Sequence, residues 1–289
     1  MSEFFIACEN LVKIYKVADL EVVALQGVDL HVAPGEMMAL IGPSGSGKST
    51  LMNILGGLDT PSAGQVRVGE HNLLDLSRKQ QVLYRRRVVG FVWQQTARNL
   101  LPYLTAQENV EMPMALNGIR GRERRERSRL LLEQVGLAHR LDHKPDRMSG
   151  GEQQRVAIAV AMANQPALVL ADEPTGEVDS EAANAIFDTL RNLNREYAVT
   201  IMIVTHDHNV ASRVDRVIGM RDGHASTEVV RTRDAAGVAL TEEEFVILDR
   251  VGRLQLPQAY IDSLSMKNRV RLTLNPDHVR VYPNEEKHP

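Results

Sequence analysis

The chain has one thiol, Cys8. A lone cysteine cannot build an internal disulfide framework, which excludes a stapled scaffold and points to a reducing cytosol. Cys8 itself reads as a small apolar filler. Long hydrophobic runs are missing too. A membrane helix needs about 18 consecutive apolar residues, and the longest candidates, such as Ala198 to Val204, have the length of buried strands. Met1 to Asn10 lacks a basic stretch followed by a long apolar one, so no signal peptide is expected. Nor is charge of one sign in excess. The net charge of −3 excludes a global pull toward nucleic acid or anionic lipid, while leaving room for a local basic patch. There is no internal repeat and no low-complexity tract.

What is present is an ordinary globular composition, 43% hydrophobic and 25% charged over 289 residues, which allows about two domains. Val22 to Leu25 and Val28 to Val32 are short β-rich runs bounded by Gly27 and by Pro34-Gly35. Met37 to Ile41 is a continuous apolar strand running into a glycine-rich loop, and Ser49 to Gly56 reads as the helix after it. Ala106 to Gln165 leans helical, and the charge run Arg120 to Arg129, with Glu123 four residues before Arg127, reads as a solvated helix face. Ala167 to Ala171 and Thr200 to Thr205 are strands flanked by helical stretches. The alternation predicts an α/β fold with a parallel sheet. Asp222 to Glu244 is polar and without clear period, and reads as a strand end plus a linker.

Gly42-Pro43-Ser44-Gly45-Ser46-Gly47-Lys48-Ser49-Thr50 fits G-x-x-x-x-G-K-[ST] between a strand and a helix. Glycines let backbone N–H groups turn inward onto phosphate oxygens, and the helix N-terminus adds partial positive charge. Lys48 is placed to bridge β- and γ-phosphates, with the Ser49 hydroxyl on Mg²⁺. Downstream, the apolar run Leu168 to Ala171 delivers two acids to the end of a strand. Asp172 would hold Mg²⁺ and Glu173 would polarise the attacking water. Between these elements stands Ser149-Gly150-Gly151-Glu152-Gln153, leading into the apolar-periodic helix of Gln154 to Ala159. Alone, Ser149-Gly150-Gly151 is a flexible turn. In this order it makes an anion site at a helix start.

Together these residues resemble an ABC transporter ATP-binding subunit of the macrolide-export and lipoprotein-release branch, over about Phe5 to Gly223. The resemblance implies a P-loop NTPase core of RecA type, an antiparallel β subdomain and a helical subdomain. It implies ATP and Mg²⁺ as cofactors. Tyr15 matches the aromatic residue that stacks on adenine, and Gln94 the glutamine that senses Mg²⁺ and water and couples to the membrane partner. Asp179 matches the D-loop aspartate and His206 the histidine at the γ-phosphate. Ser149, Gly150 and Gly151 would complete the ATP site of a second copy. The implied partners are that second copy and a separate membrane permease, with the motor held at the cytoplasmic face and in contact with the membrane only indirectly. Two residues depart from the pattern: Glu152 stands where glutamine is common, and Glu177 where Ala or Asn is usual. His139 and His143, four apart, lack a third metal ligand. Met112 to Met114 reads as core or interface, and Trp93 as packing.

Phe245 to Pro283 changes character. It reads as strand, turn, strand, short helix, then two alternating strands around Asn275-Pro276-Asp277. The pattern resembles the AbrB-type swapped-hairpin module, in which two copies interlock and which often binds DNA. Acids (Glu242, Glu243, Glu244, Asp249, Asp262, Asp277) offset bases (Arg250, Arg253, Lys267, Arg269, Arg271, Arg280), so no nucleic acid is favoured and dimerisation is expected, with an ordinary β extension as the other reading. The expected layout is a motor over 1–223, a linker over 224–244 and a small β-rich domain over 245–289. The expected role is the ATP-hydrolysing motor of a membrane ABC transporter or mechanotransmission complex; the alternatives are a soluble ABC ATPase, or a nucleotide-dependent regulator binding DNA through its tail.

Overall fold

A computed structural model describes residues 3–17, 20–95, 98–207, 211–233 and 239–283. Thirteen described strands run in chain order as β1 (Ile6–Val17), β2 (Leu20–Val32), β3 (Met37–Ile41), β4 (Ala63–Val68), β5 (His71–Asn72), β6 (Val89–Val92), β7 (Leu168–Asp172), β8 (Thr200–Val204), β9 (Arg216–Arg221), β10 (His224–Arg233), β11 (Ala239–Val246), β12 (Val270–Leu274) and β13 (Val279–Pro283). The described α-helices are α1 (Lys48–Leu55), α2 (Arg78–Arg87), α3 (Ala106–Leu116), α4 (Gly121–Gln134), α5 (Gly150–Met162), α6 (Ser180–Tyr197) and α7 (Gln258–Ser263).

A seven-stranded sheet, β11-β10-β9-β3-β8-β7-β6, forms the centre. Five of its strands, β9, β3, β8, β7 and β6, are parallel. Parallel strands covered on both faces need apolar residues at every position, which explains the unbroken apolar runs in β3, β7 and β8. Their period of two divides the core. Ala39, Val169, Ala171, Ile201 and Ile203 face the cluster built by α3 to α6. Met38, Leu40, Leu168, Leu170, Met202 and Val204 face the cluster shared with α1 and with a second sheet, β2-β1-β4-β5. That antiparallel sheet is the expected β subdomain. Cys8 is buried in it, and burial first, then the charge of Asp29, push its thiol up to about 12. The two runs expected as separate strands are one strand, β2, whose pairing with β1 shifts register three times. α3 and α4 form the helical subdomain. Met114 is buried there and Met112 lies near the surface, while Glu123 and Arg127 pair at 3.4 Å on the solvated face of α4.

The linker expected over 224–244 is a correction. β10 and β11 pair antiparallel and extend the central sheet by two strands, so the motor runs to Val246. An edge hairpin needs one ladder and no second covered face, so polar residues suffice. Arg231 reaches Glu242 across the pair at 2.6 Å and also donates to the carbonyls of Ala211 and Val214. Residues 234–238 of that stretch lie outside the described residues.

In the tail, α7 and the second hairpin form as expected, but the first hairpin does not. Residues 247–257 make a turn in which Asp249 accepts the N–H groups of Val251 and Arg253 at 3.0 and 2.8 Å. The tail also touches the motor: Arg250 pairs with Asp29 at 3.1 Å and with Glu9 at 3.4 Å, and Arg221 donates to Gln258 at 2.8 Å.

A candidate nucleotide site at the end of the central sheet

β3 ends at Ile41 and the chain turns through Gly42 to Gly47 before α1 begins. Two glycines are required by space as well as by backbone conformation. A Cβ at Gly42 would lie 2.1 Å from the carbonyl oxygen of Met220, and one at Gly47, where φ is +101°, would lie 2.6 Å from that of Ala24. Lys48 folds back across the loop and donates to the carbonyls of Gly42 and Pro43 at 2.8 and 2.9 Å. Burial pulls its ammonium pKa down, against the opposite pull of Glu173 and Asp172. The Ser46 hydroxyl is buried without a hydrogen-bond partner. A loop with a cation and an unspent hydroxyl is built to receive anionic oxygens.

The acids arrive from β7 beside the loop. Asp172 ends the strand; burial first, then the neighbouring charge of Glu173, push its carboxyl pKa up, while Lys48 and Arg98 oppose this. Glu173 turns out of the strand with φ at +45°, the left-handed region that a β-carbon disfavours. Its N–H donates to Val204 at 2.8 Å. Its carboxylate sits in a fork: the Thr205 hydroxyl at 3.1 Å from Oε2, and His206 Nδ1 at 2.7 Å from Oε1.

A cavity of about 740 Å³ joins these parts. Its lining includes Gly42, Ser44 to Thr50, Gln94, Asp172, Glu173 and His206. Gln94 follows Trp93, which stacks on Phe91 with ring centres 4.9 Å apart. Asn99 and Gln154 both donate to the Trp93 carbonyl, at 2.8 and 3.2 Å, and fix the base of that loop.

Tyr15 is not part of the lining. It donates to Asp59 at 2.7 Å with Lys13 over its ring, on β1 opposite Val22, which does line the cavity. Ser149, Gly150 and Gly151 are also outside the lining. Ser149 caps α5 in a reciprocal box with Glu152, and Glu152 is held by Arg140 at 2.9 Å. The departure at Glu152 therefore preserves the helix start. Asp179 caps α6 through the N–H of Ala182 at 2.8 Å. Glu177 is exposed, and its carbonyl lies beside Gly150. Among the described residues no group of three or more His, Cys, Asp or Glu could hold a metal, and His143 meets Arg140 instead. Sequence reasoning missed Thr205 and Arg140. Thr205 stands directly before His206 and was legible only as the end of a strand.

The glycine loop, the two acids and the central parallel sheet define a P-loop nucleotide hydrolase. The profile of the ABC transporter family matches residues 25–176. The chain is 48% identical over 219 residues to the lipoprotein-releasing system ATP-binding protein LolD of Pseudomonas fluorescens, covering 76% of this chain and 96% of that one. It is 45% identical over 223 residues to LolD of Legionella pneumophila strain Paris, covering 77% and 97%. The solved dimeric ATP-binding cassette MJ0796, in a post-hydrolysis state bound to ADP and Pi, is 42% identical with a TM-score of 0.70, covering 77% and 97%. The chain belongs to the ABC transporter family and is an ATP-hydrolysing cassette.

Proposed function

We propose that this chain is the motor subunit of a membrane transporter of the lipoprotein-releasing kind, acting as a pair at the cytoplasmic face on a separate permease. One observation carries the pairing. The phosphate loop, the acids and His206 share one cavity, whereas the Ser149-Gly150-Gly151 helix start lies outside it in the same chain. A second copy would bring its own helix start to that cavity as an anion site. The neighbouring cassette MJ0796 is a dimer. No described helix is long and apolar enough to cross a membrane, so membrane work passes through a partner, with Gln94 at the coupling point.

In this reading Lys48 binds the β- and γ-phosphates, and Tyr15, on β1 opposite the cavity-lining Val22, stacks on an adenine that extends beyond the cavity. Ser49, Asp172 and Gln94 suit Mg²⁺, because a hydroxyl, a carboxylate and an amide oxygen are hard donors and Mg²⁺ takes few protein ligands beside substrate phosphates. Mg²⁺, when bound, neutralises phosphate charge. Glu173 takes the proton of the attacking water, His206 contacts the γ-phosphate, and Asp179 and Glu177 lie toward the seam between copies. The test is Glu173→Gln. ATP binding should persist while turnover falls roughly 10²–10⁴-fold, and an ATP-bound dimer should accumulate. Turnover near wild type removes Glu173 from the role.

A second reading concerns the tail, 247–289. We infer that it joins two motors through a second copy of itself. In β12 and β13 the pairs Val270 with Pro283, Leu272 with Val281 and Leu274 with Val279 share one face. No described residue from 241 to 283 is buried, and Leu272 and Leu274 are 64% and 82% exposed. A lone hairpin of this kind is marginal, and a partner motor would always bring an identical apolar face close by. Sedimentation without nucleotide should give a dimer for the full chain and a monomer for a chain ending at Val246. Two monomers, or a tail that instead shifts duplex DNA in a salt-dependent way, overturns this reading.

A further inference from the structure

Glu173 is gripped by two unlike arms. His206 reaches Oε1 from a side chain that is 74% exposed. Thr205 reaches Oε2 from a residue with no exposed surface, whose N–H is bound to the Leu40 carbonyl of β3 at 3.1 Å. The Thr205 hydroxyl also accepts the N–H of Asp207 at 3.0 Å. A hydroxyl has one proton. Since Asp207 donates to the oxygen and a carboxylate can only accept, that proton points at Glu173. Branching at Cβ restricts χ1, and the hydroxyl is buried and bonded on both sides, so this arm is held. The exposed arm is free to exchange partners.

The difference matters because the end torsion of a glutamate is broad and nearly two-fold. Left alone, the carboxylate would present either oxygen to the cavity. We propose that Thr205 is a positioning residue for hydrolysis: it holds Oε2 throughout, and so makes Oε1, vacated when His206 turns to the terminal phosphate, the atom that receives the proton of the attacking water. The inference rests on the assignment of Glu173 as base and of His206 to the γ-phosphate. In the step, one O–H bond of water breaks and its proton goes to Oε1. The water oxygen bonds to the γ-phosphorus, and the bond to the β–γ bridging oxygen breaks with ADP as leaving group. The proton then passes from Oε1 to solvent.

Thr205→Val keeps the shape and deletes the hydroxyl; Thr205→Ser keeps the hydroxyl. Misplacing a reacting group by about 1 Å costs up to roughly 10²-fold, so Thr205→Val should lower kcat by about tenfold to a hundredfold with KM for ATP near wild type. Thr205→Ser should recover most of that loss. In a Glu173→Gln background Thr205→Val should cost nothing further, because the two residues act as a unit. A wild-type kcat in Thr205→Val overturns the proposal. So does equal damage from Val and Ser, or loss of ATP binding in step with kcat. Should Thr205→Val fail to fold, Thr205→Ala against Thr205→Ser makes the same comparison. If Glu173→Gln alone retains turnover, the underlying assignment fails. If Glu173→Gln is inactive and Thr205→Val is not, only the role of Thr205 fails.

Discussion

The motor and the tail solve the same problem differently. In the motor, Met38, Leu40, Leu170, Met202 and Val204 are closed from solvent because a helix layer lies on one face of their sheet and a second sheet and α1 lie on the other. In the tail, Leu272 and Leu274 have the same chemistry and alternate as regularly, yet stand open. About forty residues cannot fold around themselves to cover both faces of a hairpin. Strand-forming sequence therefore makes a core only where a covering layer exists, and among the described residues of the tail none is buried.

The largest expected effect sharpens this contrast. Leu170→Ala should destabilise the motor by about 2–5 kcal/mol, whereas Leu274→Ala should stay within about 0.5 kcal/mol in the monomeric chain. Urea unfolding of both variants at low protein concentration is the measurement, and equal losses would mean the tail has a core of its own. Next comes Lys48→Ala. Hydrogen bonds to a charged group contribute about 1.5–3 kcal/mol, so ATP affinity by titration should fall by roughly tenfold or more, and turnover with it. Unchanged affinity contradicts the placement of Lys48. The effect should be the same with or without the tail.

The smallest effect lies at Asp59, the partner of Lys13 and Tyr15 of β1. Burial raises the Asp59 carboxyl pKa, but hydrogen bonds from Lys13, Tyr15 and the Thr60 N–H together hold it below the usual carboxylate value. A group depressed in the folded state contributes stability above its unfolded pKa, about 3.9, and that contribution is lost as pH falls through the lower folded value. Asp59→Asn should flatten the decline of stability below about pH 4. A decline as steep as in wild type would show that Asp59 is not its source.

The motor was legible in the sequence because its chemistry is written in contiguous runs. Gly42 to Thr50, Ser149 to Gly151 and Leu168 to Glu173 each carry a loop, a helix start or a strand end within a few residues. The ladder of β10 and β11 was not legible, since edge strands rich in Glu, Arg and Thr show no apolar period. Thr205 escaped for another reason: its value lies in two hydrogen bonds to residues at different distances along the chain, Asp207 and Glu173. The strand, turn and strand expected at the start of the tail need a ladder partner, and none of the described strands takes that place.

The separation of the phosphate cavity from the Ser149 helix start also has a meaning for inheritance. In the proposed pair, each subunit carries two unlike halves of two different sites. A chain damaged at Lys48 and a chain damaged at Ser149 are each inactive when paired with themselves. Paired with one another they leave one site with both defects and one with neither. Two loss-of-function alleles of this single gene would therefore rescue each other, while an allele carrying both defects would spoil both sites of any pair it joins.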